Sequence, residues 1–276
     1  MRQVVKSLIS IVLIISGCEK HDDEVFPLPP ATEISAPSPI TQVSEPEKSS
    51  LNLKIETFQY QTYGNMPYRV LVPRNYDPAK NYPLHVFLHG IDERGTDNEQ
   101  QLILGASNFQ VDSIRDNYPA FIIFPQCPKE FYWFSEPVTQ TLKRLIDSFV
   151  TDNKVNEDKI SIGGFSMGAY GTFAMVAQNP GFFEAAVAIS GDGDVSKVSS
   201  MVSTNWQIFA GEKDVVVSSS KTEKMAMALE KAGASVSFTL FPGADHGSTW
   251  LKAFSKPDFF FWIFSSEKAL SENPVN

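Results

Sequence analysis

Gly164-Phe165-Ser166-Met167-Gly168 constrains this chain more than any other stretch. It follows residues 158–162, Asp-Lys-Ile-Ser-Ile, which read as a short buried strand. It precedes residues 169–177, which read as a helix. A serine on a sharp strand-to-helix turn takes a strained backbone conformation that pushes its hydroxyl outward. So tight a turn leaves no room for side chains two positions before and after the serine, and Gly164 and Gly168 remove that collision. The serine also stands at a helix N-terminus, where free N–H groups and the helix dipole favour developing negative charge. The pentapeptide alone does not separate this turn from a plain glycine-serine loop. A base and an acid must follow in the right setting.

The flanking pattern supplies that setting. Residues 51–62 and 66–72 alternate like antiparallel strands about the turn Tyr63-Gly64-Asn65. Residues 84–88 and 120–124 read as buried strands, and 137–152 as a helix with Leu142, Leu145, Ile146 and Phe149 on one face. Strands follow at 184–190, 205–211 and 236–241, with an amphipathic helix at 218–232 ending at Gly233 and a terminal helix at 259–266. The expected fold is α/β: a mostly parallel central sheet covered by helices on both faces, with antiparallel strands at its N-terminal edge. No internal repeat and no second core is evident.

In such a sheet, reactive groups sit on loops beyond the carboxyl ends of the strands. Ser166 is on one such loop. Gly211-Glu212-Lys213-Asp214 follows the strand 205–211, and Pro242-Gly243-Ala244-Asp245-His246 follows the strand 236–241. A serine hydroxyl needs a base in hydrogen-bond reach, and that base needs a carboxylate to hold its tautomer. His246 is the candidate base. Of the four histidines, His21 lies in a linker, His85 lies inside a strand, and His89 suits bracing a loop. Asp214 is the candidate acid; Asp192 and Asp194, one strand earlier, are alternatives, and Asp245 adjoins the histidine. Two N–H donors must face the developing oxyanion. Met167 supplies one. The loop after the strand 84–88 supplies the other, through Ile91 or its neighbour Gly90. Trp133 and Phe165 are the candidates for lining a substrate pocket. Cys127 reads as a small buried hydrophobe.

Together Phe87-Leu88-His89-Gly90, Glu93-Arg94-Gly95-Thr96-Asp97-Asn98, Pro125-Gln126-Cys127-Pro128, the Ser166 turn, Asp214, and His246 with Trp250 resemble the α/β-hydrolase superfamily. The likeness covers residues 66–265 and is nearest to secreted esterases and prolyl-oligopeptidase-like proteins of feruloyl-esterase type. The resemblance implies a serine carboxylesterase of feruloyl or acetyl type working through an acyl-enzyme, with no metal and no cofactor. A serine peptidase and a non-catalytic binding protein on the same fold are the alternatives. Relatives usually carry small residues where this chain has Ile91 and Asp92. A carboxylate there opposes negative charge unless it turns away, toward Arg94.

The N-terminus reads as a targeting segment. Arg2 and Lys6 precede an apolar run at residues 8–15, too short to span a membrane, and Ile15-Ser16-Gly17-Cys18 follows. This resembles a bacterial lipoprotein signal. It implies removal of residues 1–17, lipid on Cys18, and anchoring to a membrane of the cell envelope, the outer membrane, with the catalytic domain outside the cytoplasm. Residues 18–50, rich in Pro, Ser and Glu, read as a disordered tether, and 51–276 as the catalytic domain. The net charge is −9 with no basic cluster, which argues against nucleic acid as a partner. The expected partners are a small or polysaccharide-linked ester and the membrane.

Overall fold

The structure, a computed structural model, describes residues 53–265. The signal at 1–17, the lipid site Cys18 and the tether at 18–50 lie outside the described residues. The first half of the fold contains β1 (Gln59–Tyr63), β2 (Met66–Leu71), β3 (Tyr82–Leu88), the short helices α1 (Ala106–Phe109) and α2 (Asp112–Asn117), β4 (Phe121–Pro125) and α3 (Glu136–Asp152). The second half contains β5 (Val155–Phe165), α4 (Met167–Gln178), β6 (Ala185–Ile189), β7 (Asn205–Gly211), α5 (Ser219–Ala232), β8 (Val236–Phe241), α6 (His246–Phe254) and α7 (Phe259–Ser265).

The strands form one eight-stranded sheet in the order β1-β2-β4-β3-β5-β6-β7-β8. The β1–β2 and β2–β4 pairs are antiparallel, and every pair from β4 to β8 is parallel. This is the expected α/β architecture, antiparallel edge included. Side chains alternate across it as the pleat demands. Leu84, Val86 and Leu88 of β3 face one core with Leu142 and Leu145 of α3, Phe173 of α4 and Leu229 of α5. Phe87, between them, faces a second core with Phe109, Phe254, Phe259 and Ile263. With both faces covered, the central strands are apolar on both sides, which is why they read as unbroken hydrophobic runs.

Beyond shifts of one or two residues, the boundaries differ from the sequence pattern at three places. The first strand begins only at Gln59, because a 3-10 turn occupies Ile55–Thr57. β5 extends through Gly163 and Gly164 to Phe165, since parallel pairing with β6 continues to Phe165↔Ile189. His246 does not sit on a loop: it opens α6. Asp245 caps that helix, accepting from the Ser248 N–H, while the Ser248 hydroxyl accepts from the Asp245 N–H. The reciprocal cap Asp-x-x-Ser is a serine version of the usual capping box, and it starts the helix at the histidine.

Candidate active site

The site is built where β5 turns into α4. Ser166 has φ +54° and ψ −119°, a conformation that costs a non-glycine residue energy and persists only where its surroundings enforce it. Two backbone contacts enforce it. A β-carbon on Gly164 would lie 2.5 Å from the Gly168 backbone carbonyl. One on Gly168 would run into the backbone carbonyl of Leu88, at the end of β3. The Ser166 N–H meanwhile donates to the Ile189 carbonyl at 2.9 Å, holding the turn against β6. Met167 begins α4, so its N–H is among the helix's unpaired donors.

His246 and Asp214 complete a chain of hydrogen bonds. His246 Nε2 lies 3.0 Å from Ser166 Oγ, and Nδ1 lies 2.7 Å from Asp214 Oδ2. With Nδ1–H donating to the carboxylate, Nε2 is left to accept from the serine hydroxyl. The Asp214 side chain is 1% exposed and that of His246 18%. Buried carboxylates need partners. Asp214 has them: Oδ1 accepts from the N–H groups of Val216 at 2.9 Å and Val217 at 2.8 Å. The Phe165 ring lies 4.8 Å from the His246 ring and steadies it. Gly211, before Asp214, has its own constraint, since a β-carbon there would meet the Ala244 carbonyl at 2.6 Å. That close approach brings the acid loop and the base loop together.

Residues 129–254 match the dienelactone hydrolase family. The chain is similar to a thermostable esterase of known structure, with 30% identity and a TM-score of 0.72 over 76% of this chain and 63% of that one. This likeness together with the sheet gives the fold. The chain has the α/β-hydrolase fold. It thus spans 63% of the length of that esterase. Other solved structures share the fold at lower identity. The feruloyl esterase module from Clostridium thermocellum, complexed with sinapinate, has 15% identity and a TM-score of 0.60 over 88% of this chain and 100% of that one. Pyrococcus horikoshii acylaminoacyl peptidase has 13% identity and a TM-score of 0.61 over 81% of this chain and 44% of that one. No curated protein matches the chain at a significant level.

The remaining sequence candidates on this α/β-hydrolase fold fall into place unevenly. Trp133 does not line a pocket. It is fully buried, donates from Nε1 to the His89 carbonyl at 3.0 Å, and fills the space that only glycine at 171 leaves open. The exposed aromatic rings on that loop are its neighbours Phe131 and Phe134. Phe165 is buried as well and touches the histidine. Asp92 is exposed and makes no ion pair with Arg94 among the described residues. The Arg94 guanidinium instead donates to the carbonyls of Ile91, Lys129 and Phe131 at 3.0, 2.9 and 3.1 Å. Asp192 and Asp194 take local roles, accepting from the N–H groups of Gly193 and Ser196.

His89 braces the loop after β3. Its Nδ1 donates to the Gly90 carbonyl at 2.6 Å, and Nε2 accepts from the Cys127 N–H at 3.0 Å. Burial holds its pKa down to about 4. His85 is buried in β3 beside Ser161 Oγ, with its pKa lowered to about 3 by burial. Burial likewise raises the Cys127 thiol to about 12, so it carries no thiolate at neutral pH.

The loop after β3 also carries a buried carboxyl oxygen, that of Glu93, to which the sequence assigns no role of its own. Its Oε2 is buried and reaches no partner at bonding geometry, 2.9 Å from where a β-carbon on Gly90 would lie. Burial raises its pKa first, and the Asp92 charge adds to that. The N–H groups of Glu93 and Gly90 offset the rise in part.

Proposed function

We propose that this α/β-hydrolase is a serine carboxylesterase with Ser166 as nucleophile, His246 as general base and acid, and Asp214 as the carboxylate that orients the histidine. The supporting observation is the hydrogen-bonded series Asp214–His246–Ser166, at 2.7 and 3.0 Å.

The chemistry follows from that geometry. Ser166 Oγ attacks the ester carbonyl carbon while its proton passes to His246 Nε2. The carbonyl π electrons move onto oxygen, and the Met167 N–H meets the resulting oxyanion. Ile91 is the second donor in this reading. In a trans peptide the C=O and N–H point opposite ways. The Gly90 carbonyl turns to the buried His89 ring, so the Ile91 N–H of the same peptide turns away from it. The Gly90 N–H is beside Glu93 instead. Collapse of the intermediate breaks the bond to the alkoxide, which takes the proton from His246. Water, deprotonated by the neutral histidine, then attacks the acyl-serine and releases the acid. Neither a metal nor a cofactor enters this scheme. We further propose that the lipoprotein-like N-terminal segment, with Cys18 as its lipid site, anchors the enzyme to a membrane of the bacterial envelope with the catalytic domain outside the cytoplasm.

Hydrolysis of short aryl esters by wild type and Ser166→Ala tests the reading. Loss of roughly 10³-fold or more in kcat is expected, with a labelled Ser166 after treatment of wild type with a fluorophosphonate. Full activity in Ser166→Ala would overturn it. A folded wild type that a fluorophosphonate leaves unlabelled would favour a binding protein. Faster cleavage of prolyl amides than of esters would favour a peptidase.

A further inference from the structure

An open recess lies at the end of the sheet away from Ser166. It is a groove of about 200 Å³ between the outer strands and the last turn of α3. Gln59 and Gln61 of β1 share one strand face, as do Tyr68 and Val70 of β2, and all four line the groove. Phe121, also in its lining, opens β4, and Asn153 precedes β5, whereas Ser166 follows the last residue of β5. The whole length of β5 therefore separates the groove from Ser166. Nothing at either end of the described chain crosses it, because Leu53 and Phe58 before β1, and Phe264 in α7, pack into the core on the other face of the sheet.

The polar groups of the groove are largely unused. Gln61 stands directly across from Tyr68 in the β1–β2 register. Among the described residues, the side-chain amides of Gln59 and Gln61 and the Tyr68 hydroxyl make no hydrogen bond. At the end of α3 the Ser148 hydroxyl donates to Asp152 Oδ2 at 3.2 Å, and Asn153 Nδ2 donates to the Phe149 carbonyl at 2.9 Å. Both glutamines and Asp152 are exposed, while Val70, Phe121 and Phe149 are buried. The rim is thus polar and the floor apolar.

Charge and size narrow the complement. Asp152 is the one ionised side chain in the lining, and it stands at the negative end of α3, so an anion is repelled. A cation has little to hold it, since that single carboxylate is exposed and already accepts from Ser148. What remains is a set of neutral groups that both give and accept hydrogen bonds, two amides, a phenol and a hydroxyl, around an apolar floor. A sugar ring matches both parts: its hydroxyls exchange bonds at the rim, and its C–H face suits the floor and the apolar body of a tyrosine. At about 200 Å³ the groove is smaller than the roughly 300–1,000 Å³ of pockets that enclose a free small molecule. It fits one ring of a longer chain.

We propose that this groove is a separate binding site for one ring of a neutral glycan chain, remote from Ser166. A chain held there leaves Ser166 open, and even a weak contact raises the effective concentration of the rest of that chain around the protein. Binding at the groove does not depend on Ser166 being a nucleophile.

Calorimetric titration of the full-length protein with cellotetraose, xylotetraose, mannotetraose and maltotetraose tests the site, with spermidine as a cationic control. At least one tetrasaccharide is expected to bind with a Kd of about 1 mM or tighter. Gln61→Ala and Tyr68→Phe are each expected to weaken that binding about 5-fold, the effect of one lost hydrogen bond. Asp152→Asn, which keeps a polar group of the same shape, is expected to change it by less than about 2-fold. Gln61 is exposed, so Gln61→Ala is expected to melt as wild type does, which separates a lost contact from a lost fold. Absence of binding by all four sugars up to ~10 mM overturns the site. Binding that Gln61→Ala and Tyr68→Phe both leave unchanged also overturns it, by placing the sugar elsewhere. Tighter binding of spermidine, abolished in Asp152→Asn, overturns it in favour of a cation site. Each readout is binding rather than hydrolysis, so failure here leaves the esterase reading standing, and failure of that reading leaves this site standing.

Discussion

The turn around Ser166 and the loop after β3 face each other across the site, yet they are held by different means. Backbone sterics fix the first. Gly164 and Gly168 lie where any β-carbon would enter backbone atoms, and α4 and β6 brace what remains. Long side chains from distant positions fix the second. Arg94 holds three carbonyls, Gln126 Nε2 donates to the Glu93 carbonyl, and Trp133 Nε1 donates to the His89 carbonyl. A turn set by backbone contact tolerates almost no substitution. A loop set by side-chain bonds degrades in steps, and only the loop carries ionisable side chains.

The sharpest way to break the comparison is Gly168→Ala. The new methyl has to displace the Leu88 carbonyl, so both Ser166 and the end of β3 shift. Activity is expected to fall by roughly 100-fold or more, with a loss of stability of about 2–4 kcal/mol by chemical denaturation. Gly247→Ala, in the first turn of α6, is the control. Its β-carbon has nothing nearer than the Asp245 side chain at 4.0 Å. It is expected to change stability by less than about 1 kcal/mol, in the stabilising direction given by helix propensity. Equal effects of the two substitutions would remove the steric account of the turn.

Arg94→Ala comes next. It releases the carbonyls of Ile91, Lys129 and Phe131 together. kcat on a short ester is expected to fall about 10–100-fold through a misplaced oxyanion donor, with KM changing little. Lys at this position does not restore it, because an ammonium has no planar fork. A KM effect with unchanged kcat would show that Arg94 serves the substrate rather than the loop.

This contrast also explains what the sequence revealed. Gly164, Ser166 and Gly168 announce their geometry because steric need is local and glycine is its visible trace. Asp214 and His246 were readable because each follows a strand in the order this fold requires, even though the helix beginning at His246 was not. The oxyanion-side loop was less legible. Asp92 and Arg94 look like an ion pair at close spacing, but the guanidinium turns to carbonyls 35 and 37 residues away in sequence. Trp133 looks like an exposed aromatic among aromatics. Its burial depends on Gly171 on α4, a long-range vacancy that no local pattern displays. Tyr170, four residues after Ser166, was within reach of helical spacing, but the ring it meets, Phe134, comes from another loop.

Acid stability sharpens the loop side. His85 and His89 stay neutral in the folded protein down to about pH 3 and about pH 4, whereas an unfolded chain protonates them near 6.5. The unfolded state therefore binds more protons below that value, and stability falls as pH drops from about 6.5 toward 4, by at most ~1.4 kcal/mol per pH unit for each ring. Urea melts at pH 7 and pH 5 are expected to show a lower midpoint at pH 5, and a smaller drop in His89→Gln. An identical drop in that variant would show that the loop histidine is not buried neutral.

Glu93→Gln is the smallest and the most selective change. The raised pKa of Glu93 means that the unfolded state ionises first as pH rises through about 4.5, so its charge costs stability above that value and nothing well below it. An amide of the same shape carries no charge to bury. The variant is expected to melt slightly higher than wild type at pH 7, and the difference is expected to vanish at pH 4. A lower melting point for Glu93→Gln at every pH would mean that the carboxylate is bound by the Gly90 and Glu93 N–H groups strongly enough to outweigh its burial. The loop would then be anchored through its own backbone, as the serine turn is, and the contrast between the two sides of the site would narrow to the reach of Arg94 and Trp133.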